Sequence, residues 1–265
     1  MPIDFGAICN YWFLINEKHI EMKITIIVAV YNGAKTLQAC LDSIAGQTYP
    51  NRELIVIDGG STDGTIEILQ SNTDLITYWE SQKDRGIAHA WNKALEHVTG
   101  DWIIFLGADD RLHDSHVLSE MADELKNDSV NDLVYGQINI EGGKFDGEVL
   151  GGIFKPDILI RRMNIPHTAT FHRKRFFDDI GQFDESFKIA IDYDLLLRKP
   201  PLRARFVERR ISIMGGEGVS SRLISATLRE FRAAQLKNRV CWPLKIELWH
   251  LYFQLRYRMS LWFSE

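Results

Sequence analysis

Three short apolar runs, each stopped by polar or acidic residues, do most to limit what this chain can fold into. They are Ile24-Thr25-Ile26-Ile27-Val28-Ala29-Val30, Glu53-Leu54-Ile55-Val56-Ile57-Asp58 and Asp101-Trp102-Ile103-Ile104-Phe105-Leu106. Their apolar residues are consecutive rather than alternate, the pattern of strands buried on both faces of a parallel sheet. Stretches of helical periodicity lie between them. Residues 34–45 place Leu37, Leu41 and Ile44 on one face, and a second helix runs through Glu67-Ile68-Leu69 with Ser61 or Thr62 as its cap. A weaker strand at 75–80, helices at 87–98 and 117–126, and a strand at 132–140 continue the alternation. Strand and helix in turn, joined by right-handed crossovers, predict an α/β fold: a mostly parallel, Rossmann-like sheet flanked by helices. Ligands of such sheets bind beyond the carboxyl ends of the strands.

After about residue 141 the alternation fades into a loop-rich stretch containing Gly142-Gly143 and Gly151-Gly152. A helical pattern returns at 191–198, and residues 222–265 read as a helical C-terminal appendage. The chain therefore divides into 23–140, 141–221 and 222–265. Residues 1–22 precede them as an N-terminal extension, with Met22, directly before the first strand, as a candidate natural start.

With 265 residues the chain can bury one substantial core, or a main domain with a smaller appendage. A net charge of −5 argues against a general nucleic-acid binder. Cys9, Cys40 and Cys241 are scattered without metal-ligand spacing. They read as small buried side chains with reduced thiols, which implies a cytoplasmic setting. No run approaches the roughly 18 apolar residues of a membrane span, and no basic stretch precedes Tyr11-Trp12-Phe13-Leu14-Ile15 to make a signal peptide. The tail from Trp242 to Phe263 mixes aromatics with Lys245, Arg256 and Arg258. That composition suits a helix lying on the inner face of an anionic membrane; packing on the main domain or on a second subunit accounts for it equally well.

Polar groups follow each strong strand: Tyr31-Asn32 the first, Asp58 the second and Asp109-Asp110 the third. In one parallel sheet these meet at one edge, where three acids would repel unless a cation lay between them. Oxygen ligands without a His/Cys set favour Mg²⁺ or Mn²⁺ over zinc. Taken singly, Asp58-Gly59-Gly60 is also a plain turn and Asp109-Asp110 a plain helix cap. No Gly-x-Gly-x-x-Gly follows the first strand and no Walker-type loop occurs, so a nucleotide would be held by side chains and metal.

These residues are similar to the signature series of family 2 glycosyltransferases. The resemblance rests on Val28-Ala29-Val30-Tyr31-Asn32, on Asp58-Gly59-Gly60-Ser61-Thr62-Asp63-Gly64-Thr65, on Asp84-Arg85-Gly86-Ile87 with Ala90 and Asn92, and on Gly100-Asp101 leading to Ala108-Asp109-Asp110. It covers roughly residues 23–130. A second block, Gly181-Gln182-Phe183-Asp184-Glu185 through Asp192-Tyr193-Asp194-Leu195-Leu196-Leu197-Arg198, resembles the acceptor-side motif of that family.

The resemblance implies a GT-A fold, with 23–140 as the nucleotide-sugar donor half and 141–221 as the acceptor half. It implies inverting transfer to a hydroxyl of a carbohydrate or lipid-linked acceptor, in surface polysaccharide or glycolipid synthesis. Ala29, Tyr31 and Asp58 would border the nucleobase, Asp109 would meet the ribose or metal-bound waters, and Asp110 would hold the metal. Asp192 matches the general base, with Asp194 as its fallback. Lys83 or Arg85 would assist the leaving diphosphate, and His167 would touch the acceptor unless it is a structural hydrogen bonder. Trp91 is either a sugar-stacking ring or a core residue. Many relatives carry a second acid where this chain has Gly59, which leaves the nucleobase open. A nucleotidyltransferase and a non-catalytic nucleotide-sugar-binding scaffold are the rival readings. The first would need a basic, glycine-rich loop where the chain has Tyr31-Asn32-Gly33.

Overall fold

The computed structural model describes residues 22–216 and 223–262. The expected N-terminal extension lies almost wholly outside them, as does Cys9. The elements in chain order are β1 (Ile24–Val30), α1 (Leu37–Ala45), β2 (Arg52–Asp58), α2 (Thr65–Ser71), β3 (Tyr78–Ser81), α3 (Ile87–Leu95), β4 (Trp102–Gly107), β5 (Arg111–Leu112), α4 (Val117–Leu125) and β6 (Leu133–Glu141). There follow β7 (Val149–Leu150), α5 (Pro156–Leu159), β8 (Thr170–Arg173), α6 (Lys174–Ile180), α7 (Ile191–Leu197), β9 (Ala204–Gly215), α8 (Ile224–Lys237) and α9 (Pro243–Trp262).

The strands form one sheet in the order β3-β2-β1-β4-β8-β6-β9-β5, with β7 beside β6. From β3 to β4 all pairs are parallel. Beyond β4 the sheet is mixed: β8 runs antiparallel to both its neighbours, while β6 and β9 are parallel. The α/β expectation holds, and the parallel character is concentrated in the first half. The switch to β8 follows from the fading alternation after residue 141, where no crossover helix separates the strands.

Because β1, β2 and β4 bury both faces, there are two cores. Ile24, Ile26, Val28, Val56 and Leu106 pack with Leu37, Leu41 and Ile44 of α1 and with α4. Ile27, Ile55, Ile57, Ile103 and Phe105 pack on the opposite side with α3, Phe176 of α6 and α7. Helix α8 joins this second core through Ala234. The amino ends of β1, β2 and β4 are tied by Glu53, which is 3% exposed. It accepts from Thr25 Oγ1 at 2.6 Å, Thr99 N at 2.7 Å and Gly100 N at 3.1 Å, and pairs with Lys23 at 3.0 Å. Burial alone would raise its pKa, but these donors outweigh it and hold the carboxyl down at about 2.

Several sequence boundaries shift. Helix α1 begins at Leu37 because residues 33–36 form a turn instead. Helix α2 begins at Thr65, capped by neither Ser61 nor Thr62: Gly64 precedes it at φ +102°, and Asp63 accepts from Thr65 N at 3.2 Å. Cys40 is buried as expected, whereas Cys241 is half-buried beside the break between α8 and α9.

Candidate active site

The registers Val30 with Asp58 and Ala29 with Gly107 bring β2, β1 and β4 to an end at one level. Tyr31, Gly59 and Ala108 therefore emerge on the same edge. Tyr31 is 67% exposed, a bare aromatic ring on this edge, and Ala29 is half-buried two residues before it on β1.

The loops after β1 and β2 are stapled to each other. Asn32, in the left-handed region at φ +50°, donates its N–H to Ser61 Oγ at 2.6 Å and accepts from Thr62 N at 3.0 Å. Gly33 N donates to Thr65 Oγ1, and Ala34 N to Asp63 Oδ2, both at 3.0 Å. Asp58 is fully buried. Its carboxylate accepts from Gly60 N (3.1 Å), Ser61 N (2.9 Å), Ser81 Oγ (2.5 Å) and Ser61 Oγ. Asp58 is thus occupied by donors of its own loop and of Ser81, and the strand-end acids left facing each other are Asp109 and Asp110. The roles of Ser61, Asp63, Thr65 and Ser81 escape a reading that looks for ligand contacts; the signal was their density around Asp58.

Asp109 is exposed and Asp110 is 4% exposed. Asp110 Oδ2 accepts from Gly107 N at 2.7 Å, and burial together with the Asp109 charge pushes its carboxyl up to about 7. Two backbones must come close for this: a Cβ on Gly107 would lie 2.8 Å from Asp109 Oδ1, and one on Gly215 2.7 Å from Asp109 Oδ2. Gly215, at the end of β9, lies against Asp109, an approach that carries no local sequence signal. Beneath the pair, Cys40 is buried, and its thiol is pushed well above its usual range by burial and by both aspartates. Among the described residues no group of three or more His, Cys, Asp or Glu side chains could hold a metal. The pair fits a hard divalent ion all the same, since Mg²⁺-type sites take one or two carboxylates and complete the shell with water and phosphate oxygens.

Residues 181–198 are joined to this edge through 84–92. Arg85 is exposed and paired with Glu185 at 2.7 Å, and Lys188 Nζ donates to the Arg85 carbonyl at 2.8 Å. Lys83 is exposed. Asn92, 8% exposed, exchanges two 2.9 Å hydrogen bonds with the backbone of Phe183. Three residues beyond Lys188, helix α7 starts. Its entry is held by Glu230 of α8, whose carboxylate accepts from Lys188 N (3.0 Å), Ile189 N (2.8 Å) and Ala190 N (2.9 Å).

The two aspartates of α7 separate cleanly. Asp192 is half-buried and accepts only from Tyr193 N at 2.8 Å, and burial raises its carboxyl to about 6. Asp194 is fully buried, bonded to Lys237 Nζ at 2.9 Å, Asn238 Nδ2 at 2.8 Å and Arg198 Nε at 3.0 Å. With both oxygens bonded and no exposed surface, Asp194 presents no open face to a substrate. Trp91 is a core residue, 7% exposed and packed on Phe105 and Phe183. His167 stacks in the same ring cluster, with Trp91 at 4.7 Å and Phe105 at 5.3 Å. Burial drives its pKa far down, so its ring is neutral, and its Nε2 is buried without a partner.

The profile described as Glycosyl transferase family 2 matches residues 25–202. The "PGL/p-HBAD biosynthesis glycosyltransferase" of Mycobacterium tuberculosis (strain ATCC 25177 / H37Ra) is 35% identical over 189 residues, 69% of this chain and 73% of that protein. Among solved structures, S. aureus TarS 1-349 in complex with UDP-GlcNAc superposes with TM-score 0.66 at 20% identity, over 88% of this chain and 72% of that one. The chain spans 42% of the longer TarS chain. The mannosyltransferase PcManGT from Pyrobaculum calidifontis, in complex with GDP-Man and Mn²⁺, superposes with TM-score 0.64 at 20% identity, over 93% of this chain and 78% of that one. On the family match and the sheet edge together, the chain belongs to glycosyltransferase family 2.

Proposed function

We propose that the chain transfers a sugar, with inversion, from a nucleoside-diphosphate sugar to a hydroxyl of a carbohydrate or lipid-linked acceptor. The observation that carries this reading is the edge itself: an exposed Tyr31, a locked Asp58 loop and the Asp109-Asp110 pair at one level of three adjacent parallel strands. The two superposing structures bind UDP-GlcNAc and GDP-Man, donors of this class.

In this reading Tyr31 covers one face of the nucleobase and Ala29 leaves room below it. Asp58 shapes the base-side loop without touching the ligand. Asp109 meets the ribose or metal-bound waters, and Asp110 holds Mg²⁺ or Mn²⁺. An ion bound there would neutralise charge developing on the diphosphate as the glycosidic bond breaks. Lys83, exposed on the adjoining loop, is available to the same phosphates. Asp192 takes the proton of the attacking hydroxyl, whose oxygen bonds the anomeric carbon from the face opposite the departing nucleoside diphosphate. Its raised pKa suits that task, being near neutral yet low enough to leave the carboxylate ionised at pH 7. His167 borders the acceptor side as a neutral polar ring.

A lipid-linked acceptor is favoured by α9. Leu244, Leu248, Leu251, Leu255 and Met259, all at least 50% exposed, recur at helical spacing on one side, with exposed Lys245, Arg256 and Arg258 nearby. No helix among the described residues is long and apolar enough to cross a membrane, so such contact would be peripheral. The other use of this stripe is a dimer, and vesicle co-sedimentation against sedimentation velocity separates the two.

The test of the main reading is donor turnover. The protein should release nucleoside diphosphate from one member of a nucleotide-sugar panel with Mn²⁺ or Mg²⁺ and not in EDTA; no turnover and no binding across the panel would refute it.

A further inference from the structure

Position 59 has no side chain, yet the space beside it is not empty. A Cβ built on Gly59 would lie 2.8 Å from Asp84 Oδ2 and 3.1 Å from its Cγ. The Asp84 carboxylate thus lies over the Gly59 backbone, at the end of β2, where a residue-59 side chain would begin. It reaches there from the loop between β3 and α3.

That placement is built in. Gln82 N donates to the Asp58 carbonyl at 3.0 Å, and Gly60, at φ +85°, lets Lys83 come so close that a Cβ would sit 3.1 Å from Lys83 N. Asp84 Oδ1 accepts from Gly86 N at 2.9 Å, and Gly86 takes φ +119°, a value that disfavours any side chain. One oxygen of the carboxylate is therefore committed to its own loop. The other, Oδ2, has no hydrogen bond to another described residue, and Asp84 is only half-buried. Gly59 N bonds the Val30 carbonyl at 2.9 Å, so Gly59 and Tyr31 are neighbours at the ends of paired strands. An exposed ring and a carboxylate oxygen without a hydrogen bond to another described residue hence stand at the same sheet edge.

An ionised carboxylate only accepts hydrogen bonds. Uracil offers it the ring N3–H, and guanine offers the ring N1–H with the exocyclic amine beside it. Adenine and cytosine carry a lone pair on the corresponding ring nitrogen, which would face the carboxylate oxygen. We propose that Asp84 is the base-selecting residue of this enzyme, choosing nucleoside diphosphates whose base carries a ring N–H, uracil or guanine, over those of adenine and cytosine. This rests on the nucleotide-sugar reading of the edge.

Calorimetry on the full chain with UDP, GDP, ADP and CDP, each with Mn²⁺, tests it. UDP or GDP should bind at least about tenfold tighter than ADP and CDP, the worth of a charge-assisted hydrogen bond. Asp84→Asn keeps the bond to Gly86 N and should bring the preferred nucleotide down by about tenfold, leaving ADP and CDP nearly unchanged. Because Gly59 is not in the left-handed region, the exchange Gly59→Asp with Asp84→Gly moves the carboxylate across the gap and should restore much of the preference. A folded Asp84→Asn protein, checked by its thermal melt, that keeps both affinity and ranking would overturn the proposal while leaving the nucleotide reading intact. A wild type preferring ADP or CDP would do the same. Failure of all four to bind the wild type would remove the nucleotide reading and this proposal with it.

Discussion

The proposed donor half, residues 23–140, and the proposed acceptor half, residues 141–221, meet the same need, fixed polar groups, by opposite means. In the donor half the loops are held by partners near in sequence: Asn32, Gly33 and Ala34 bond to Ser61, Thr62, Asp63 and Thr65, all within about one βαβ unit. In the acceptor half the entry to α7 is held by Glu230, some forty positions downstream. Its neighbour Asp194 is paired with Lys237 and hydrogen-bonded by Asn238 at the end of the same distant helix. One half thus carries its scaffold within its motifs, whereas the other borrows it from the appendage.

The sharpest way to break this comparison is to remove the group each half exists to present. Asp110→Ala should lower transfer by about a thousandfold or more, as expected when a metal's stabilisation of the leaving group is lost. Its thermal melt should stay near that of the wild type, because Asp110 makes no ion pair among the described residues and burial already penalises its charge; turnover within a few fold of wild type would remove Asp110 from the metal site. Asp192→Asn should cost about a hundredfold or more in kcat with nucleotide affinity kept. In the wild type, kcat/KM should fall as pH drops through about 6, since the base is lost when its carboxyl is protonated. A flat profile down to pH 5 would exclude Asp192.

Glu230→Gln sharpens the contrast further. It loosens the backbone before α7 and should lower kcat by about tenfold with donor KM unchanged, a split that a merely destabilised protein would not give. Equal loss in both parameters would mean that Glu230 supports the whole fold. The smallest effect on chemistry belongs to Glu53. Its folded pKa of about 2 lies below the ordinary 4.5, so the stability it confers is full above about pH 5 and is lost as pH falls toward 2. Glu53→Gln should lower Tm by several degrees at pH 7, by much less at pH 3, and leave kcat at 25 °C near wild type.

The same contrast explains what could be read from the chain. Strands β1, β2 and β4 were legible because burial on both faces leaves an unbroken apolar run, and the Asp109-Asp110 pair because it stands at the end of one. Asp58 was legible as a position but not as a role, since whether a carboxylate faces a ligand or its own loop depends on hydroxyls such as Ser81, twenty-three residues away. Asp192 and Asp194 are two residues apart with the same chemistry. Arg198, four positions on, reaches Asp194 locally, and the docking of α8, a tertiary event with no local signature, adds Lys237 and Asn238, while Asp192 meets no cation among the described residues. Gly107 and Gly215 were invisible for a related reason: what matters at each is an approaching carboxylate, not the turn a glycine usually marks.

The reciprocal pair of Asn92 with the Phe183 backbone, and the Arg85–Glu185 bridge beside it, bear on how such enzymes can be recombined. A chimaera cut near residue 141, where the alternation ends, would set Asn92 and Arg85 against a foreign acceptor block and strand one buried amide and one cation. A graft that moves residues 84–92 together with the acceptor half would carry its own latch. The unit of exchange in this architecture is then a discontinuous one, a helix from the first half travelling with the whole of the second.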